Sequence, residues 1–185
     1  MKNYMQGRLD RLRGGVYGLL VGDALGVPYE FHDASKIPAE DEIEMDPPQV
    51  FRRAHAGVPV GTWSDDGAQA LCLFDSLNRN RSLDLVDFAE QLLAWYEDGH
   101  MTPDRKVFDV GIQTRRALDA LKRGVDASQA GPSGERDNGN GALMRCLPVL
   151  LVASSTEDVI DLAMKQGIVT HGLCASTRPL SLTSK

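Results

Sequence analysis

Apolar residues in this chain recur at three- and four-residue spacing in one segment after another, and nowhere do they alternate in twos over a strand's length. That period places them on one face of a helix. Leu9, Leu12, Val16, Leu19 and Leu20 form such a stripe over residues 8–22. Gly14, Gly18 and Gly22 share another face of the same segment, which fits either close approach of a second backbone there or a merely loose helix. Ala68, Leu71, Cys72, Phe74 and Leu77 predict a helix over 65–78, with Ser64 as its N-cap. Leu85, Phe88, Ala89, Leu92, Leu93 and Tyr96 predict the next, capped by Ser82 and ending near Gly99. A further helix is expected to open at Thr102-Pro103, carry Val107, Val110, Thr114, Ala117, Leu118 and Leu121 on one face, and close at Gly124. Val159, Leu162 and Ala163 mark a last one, from Ser155 or Thr156 to Gly167. The expected fold is all-α, with helices joined by glycine-rich loops.

The 185 residues suffice for one domain with a real core. A net charge of −6 without a basic run argues against nucleic acid as a partner. Cys72, Cys146 and Cys174 are odd in number and widely spaced, so they form neither a zinc pattern nor a disulfide framework. That usage fits a reducing, cytoplasmic location. Residues 15–27 are apolar but interrupted by Asp23 and too short to span a bilayer, so no membrane partner is expected. Residues 32–60, broken by Pro38, Pro47, Pro48 and Pro59, read as an acidic, solvated loop.

The chemistry concentrates at Gly61-Thr62-Trp63-Ser64-Asp65-Asp66-Gly67. Asp65 and Asp66 fall at the positive end of a helix dipole, where they serve as capping acids. A hydroxyl beside two carboxylates is also an all-oxygen donor set suited to a hard cation such as magnesium. Asp23 and Glu30 flank a turn forced by Pro28. Asn138-Gly139-Asn140-Gly141 is a second glycine-rich loop. Taken singly, Glu30 reads as a surface acid, His171 as a helix-end residue and Asn138-Gly139 as a turn.

Five ordered blocks make the chain resemble the ADP-ribosylglycohydrolase family, which includes the dinitrogenase-reductase-activating glycohydrolase. They are GVYGLLVGDALGVPYE from Gly15, GTWSDDGAQALCL from Gly61, VFDVGIQTRRAL from Val107, NGNGALMRCLP from Asn138 and VTHG from Val169. The resemblance implies an all-α fold holding two magnesium ions, with manganese as a substitute, at the base of an ADP-ribose cleft. It implies hydrolysis of the glycosidic bond between ADP-ribose and an acceptor, often a protein arginine. The partner would then be an ADP-ribosylated protein or a small ADP-ribose conjugate.

Carried over, Ser64, Asp65 and Asp66 match the first metal block. The family usually has threonine at Ser64 and often at Gly67. Glu30 matches an acid that positions or activates water. Asn138, Gly139, Asn140 and Gly141 match the loop at the nucleotide or distal ribose, and His171 a histidine beside the cleft. The family's second metal block, Asp-x-Asp followed by a hydroxyl residue, has no counterpart after His171. The expectation is a C-terminally truncated member, with a catalytically inactive ADP-ribose-binding remnant or a structural protein on the same fold as the alternatives.

Overall fold

The structure is a computed structural model, described here for residues 2–137 and 139–172. Five α-helices run among the described residues: α1 (Lys2–Gly26), α2 (Asp65–Asn80), α3 (Leu85–Asp98), α4 (Ile112–Lys122) and α5 (Thr156–Ile168). Short 3-10 turns lie at Val27–Tyr29, Ala34–Lys36, Glu40–Glu42 and Leu147–Leu151, and no strand occurs among these residues. The fold is all-α, as the periodicity predicts.

The helix α2 is central. It packs mainly on α3 and on the Leu147–Leu151 turn, with α1 alongside. Its inner face, Ala68, Cys72, Leu73 and Leu77, is fully buried against Phe88, Leu92 and Trp95 of α3 and Leu118 of α4. Burying each leucine there contributes about 1.5–3 kcal/mol. This packing holds the N-terminus of α2 rigidly, and the N-terminus carries the acidic motif.

The ends of the helices follow local chemistry. Ser64 caps α2, its side chain accepting from the Asp66 N–H. The α3 cap is Asp84, not Ser82: its carboxylate accepts from the N–H groups of Val86 and Asp87. Leu83 and Leu85 pack against the core and so leave Asp84 facing the first turn. Gly99, at φ 64°, closes α3 in the left-handed region that glycine adopts at least cost.

Two further expectations fail. The helix expected to open at Thr102-Pro103 begins only at Ile112. Met101, Arg105 and Asp109 take left-handed φ values of 61°, 61° and 52°, which no helix tolerates. The Trp63 indole N–H also donates to the Met101 carbonyl at 2.9 Å, tying this irregular segment to the acidic loop. Among the described residues the glycine face of α1 meets no second backbone either: a Cβ at Gly14, Gly18 or Gly22 would have none of their atoms within 4 Å. It is Gly15 that lies against a neighbour, with Leu147 3.2 Å from where its Cβ would be.

Candidate functional site

The last turns of α1 deliver Asp23 to the loop before α2. Its Oδ2 accepts from the backbone N–H groups of Ser64 (2.9 Å) and Gly67 (2.7 Å), and its Oδ1 from the Ser64 hydroxyl at 2.8 Å. Burial raises its pKa, while the bonds from Ser64 and Gly67 pull the other way. A Cβ on Gly67 would lie 2.9 Å from Asp23 Oδ2, Leu20 Cδ2 and Trp63 Cδ1. The missing side chain is therefore what lets Asp23 clasp the start of α2. This accounts for glycine at position 67.

Asp65 and Asp66 form the floor. Asp65 is 6% exposed, and its Oδ2 accepts from Gln69 Nε2 at 3.1 Å. Burial pushes its pKa up to about 8, and the charges of Asp66, Asp109, Asp23 and Glu30 add to the effect. Asp66 is pushed up to about 6 by burial and by Asp23 and Asp109. Carboxylates crowded this way favour a bound cation over coexisting as bare anions.

Glu30 stands beside this floor, half-buried, with His55 Nε2 2.8 Å from its Oε2. Burial raises its pKa, opposed by the His55 bond. Ligand atoms of Glu30, His55 and Asp109 all lie within 4.8 Å of one another, close enough for the three side chains to hold a metal together. His55 and Asp109 were not singled out from the sequence. Asp109 sits inside the VFDVG block, so the block held the signal; His55 lies in the irregular loop and gave none. Phe31, His55 and Asp109 adopt φ values of 62°, 47° and 52°. Such backbone costs about 1–3 kcal/mol per residue and gathers at functional sites. The rings of Phe31 and Phe108 pack on His55, with centroids 5.5 and 5.1 Å away.

A cavity of about 490 Å³ opens above the floor, lined by Asp65, Asp66, Asp109, Gln113, Gly139, Asn140, Gly141 and His171 among others. The acidic motif and the glycine loop, distant in sequence, thus share one cleft. Asn138 lies outside the described residues. Gly139 donates its N–H to Gln113 Oε1 at 2.7 Å. A Cβ on Gly139 would collide with that oxygen and stand 3.1 Å from His171 Nε2; one on Gly141 would stand 3.0 Å from His171 Cε1. The bare backbone lets the loop lie on the imidazole. His171 is 3% exposed, and burial together with the Arg145 charge pushes its pKa down to about 4, so the ring is neutral near pH 7. A larger groove, about 650 Å³, runs between α1 and the stretch from Leu147 to Val159. It carries no carboxylate among its described residues and lies apart from this chemistry. No described helix is long and apolar enough to cross a membrane.

A family model described as ADP-ribosylglycohydrolase matches residues 5–175. The chain is 36% identical over 165 residues to "ADP-ribosylarginine hydrolase Tri1" of Serratia proteamaculans, covering 88% of this chain and 42% of that protein. It is 30% identical over 163 residues to "ADP-ribosyl-[dinitrogen reductase] glycohydrolase" of Rhodospirillum rubrum, covering 88% and 51%. It is 31% identical over 176 residues to "ADP-ribosylhydrolase ARH3" of Homo sapiens, covering 88% and 45%. A solved structure titled "ADP-ribosylglycohydrolase-related protein complex" superposes with TM-score 0.69 at 35% identity, covering 89% of this chain and 50% of that one. The chain spans about half the length of the curated relatives it matches. On its sequence and its fold, the chain belongs to the ADP-ribosylglycohydrolase family.

Proposed function

We propose that the chain hydrolyses the glycosidic bond between ADP-ribose and an acceptor, with protein arginine the first acceptor to test, and that its 185 residues act as one domain. The observation that carries this reading is the shared cleft: crowded carboxylates at one end, a glycine loop and a neutral histidine at the other. The relatives named above are hydrolases of ADP-ribosylated substrates, which supports the same reading.

Asp65 and Asp66, with Ser64 beside them, would hold a divalent cation, and their all-oxygen donor set favours magnesium or manganese. Such an ion, when bound, supplies positive charge that orients ribose hydroxyls and water. Gly139, Asn140 and Gly141 present backbone to the nucleotide, and His171 supports that wall; Asn138 is assigned to the same loop from the sequence alone. Glu30, oriented by His55, accepts a proton from the attacking water. The water oxygen bonds to the anomeric carbon as the bond to the acceptor nitrogen breaks. The leaving guanidine takes up a proton from solvent as it departs. Positive charge develops on the sugar ring along the way, in the manner of other glycoside hydrolyses.

The test is release of ADP-ribose from ADP-ribosylarginine by the purified chain, with magnesium or with chelator, beside Asp66→Asn. Release that needs both magnesium and Asp66 supports hydrolysis. Tight ADP-ribose binding without release reassigns the chain as a binding domain, and neither activity sinks the reading.

A further inference from the structure

Arg145 is 0% exposed, and beyond its charge acting on His171 it has been given no role in the cleft. It lies at the centre of a buried polar network that reaches both ends of the cleft. Its Nη1 donates to Gln69 Oε1 at 2.6 Å, and Gln69 Nε2 in turn donates to Asp65 Oδ2 at 3.1 Å. Its Nη2 donates to Thr170 Oγ1 at 2.6 Å, and that hydroxyl lies 2.8 Å from His171 Nδ1. Its Nε donates to Gln166 Oε1 at 2.9 Å, and Gln166 Nε2 donates to the carbonyl of Ala142, next to the glycine loop, at 2.7 Å. Gln69, Gln166 and Thr170 are all buried, at 1% exposure or less.

A guanidinium has five N–H donors and no acceptor, so each neighbour must offer it an oxygen lone pair. Gln69 must therefore turn its carbonyl to Arg145 and its NH₂ to Asp65. Thr170, already accepting from Arg145, has its hydroxyl hydrogen left for His171 Nδ1. The alternative, with His171 Nδ1–H donating to Thr170, would strand the hydroxyl hydrogen in a fully buried place, at a cost of about 1–3 kcal/mol. A lone pair on Nδ1 puts the ring proton on Nε2. That nitrogen is the one beside Gly139, at the cavity.

We propose that Arg145 is a positioning residue that sets the polarity of both ends of the cleft, aiming the Gln69 amide N–H at Asp65 and, through Thr170, holding His171 as the Nε2–H tautomer that presents a hydrogen-bond donor to an oxygen of the bound nucleotide. The proposal rests on the reading of this cavity as an ADP-ribose site. It explains why a charged residue is buried between α2 and α5. The donor-only guanidinium sets a direction that a neutral side chain in its place would leave free to reverse.

The direct test is long-range ¹H–¹⁵N NMR of the labelled 185-residue chain, with His171→Gln used to identify the His171 signals. The wild type should show Nδ1 unprotonated and Nε2 protonated. Thr170→Val keeps the shape and removes the hydroxyl, and it should shift the proton toward a mixture of both nitrogens. Thr170→Ser should restore the single tautomer. ADP-ribose affinity should fall about two- to tenfold in the valine variant, the worth of one hydrogen bond, and recover in the serine variant. A wild-type proton on Nδ1, or an unchanged tautomer in Thr170→Val, overturns the proposal. The NMR readout needs no ligand, so a chain that fails to bind ADP-ribose refutes the functional reading while the tautomer is still decided.

Discussion

Replacing Asp65 with asparagine should stabilise the metal-free chain while abolishing its response to magnesium. The folded state holds the Asp65 proton up to a pKa of about 8, against 3.8 in the unfolded chain. Between those values the folded state binds more protons, so its stability falls as pH rises from about 4 to about 8 and levels off above. At pH 7 each unit above 3.8 contributes 1.36 kcal/mol, giving an upper bound of about 4 kcal/mol. Relaxation and water entry reduce this to roughly 2 kcal/mol at an effective interior dielectric well above that of dry protein. Asparagine removes that cost and keeps the acceptor for Gln69 Nε2. For a chain of this size, roughly 2 kcal/mol corresponds to a rise in Tm of about 4–8 °C. The assay is thermal unfolding in chelator at pH 5, 6, 7 and 8. The gain should be small at pH 5 and largest at pH 8, and magnesium should raise the Tm of the wild type alone. An Asp65→Asn chain no more stable than wild type at pH 8 in chelator would refute the electrostatic argument.

Other expectations follow from single contacts. Gly67→Thr forces its side chain into the space where Asp23 Oδ2 sits 2.9 Å from a Cβ, so Tm should drop by about 2–12 °C, the cost of overpacking at about 1–3 kcal/mol; a neutral result would show that the close approach of Asp23 does not require that glycine. His55→Ala takes away the bond that opposes the raised pKa of Glu30, so the acidic limb of the pH–rate profile should move to higher pH; an unmoved limb would exclude Glu30 as the titrating base. Gly139→Ala drives a methyl against Gln113 Oε1 and His171, and should weaken ADP-ribose binding measured by calorimetry while leaving magnesium binding near wild type.

Helices were legible where one face meets the core. Of the stripe Ala68, Leu71, Cys72, Phe74 and Leu77, the first, third and fifth are fully buried and Leu71 and Phe74 are half-buried, and α2 runs only two residues beyond the expected 65–78. Ser64 was readable as a cap because a short polar side chain before an apolar stripe has few other uses, whereas the start of α5 was left between Ser155 and Thr156, and it is Ser155 that caps it. Ser82 was misplaced because Asp84, two residues on, is an equally good cap, and only the packing of Leu83 and Leu85 decides the register. The region before α4 misled because Val107 and Val110 keep a helical spacing in a segment whose backbone is left-handed at Asp109, a feature that no spacing reports. The glycines of α1 misled for the converse reason: spacing shows a shared face but not what stands opposite it. In the candidate site, Asp65, Asp66, Gly139, Asn140, Gly141 and His171 were readable as motif residues, and the structure brings them around one cavity. His55 and the Arg145 network were not, since both depend on long-range contacts between segments with no local signature.

The most direct test of the account is calorimetric titration of ADP-ribose into the chain with and without magnesium, in wild type and Asp66→Asn. If the acidic floor and the loop–histidine wall are two ends of one site, magnesium and ADP-ribose must strengthen each other's binding by the same factor, about tenfold or more. Asp66→Asn should erase that coupling and leave the weaker, magnesium-free affinity. ADP-ribose binding that ignores magnesium in the wild type would show that the two ends do not share a ligand, and would contradict the central claim.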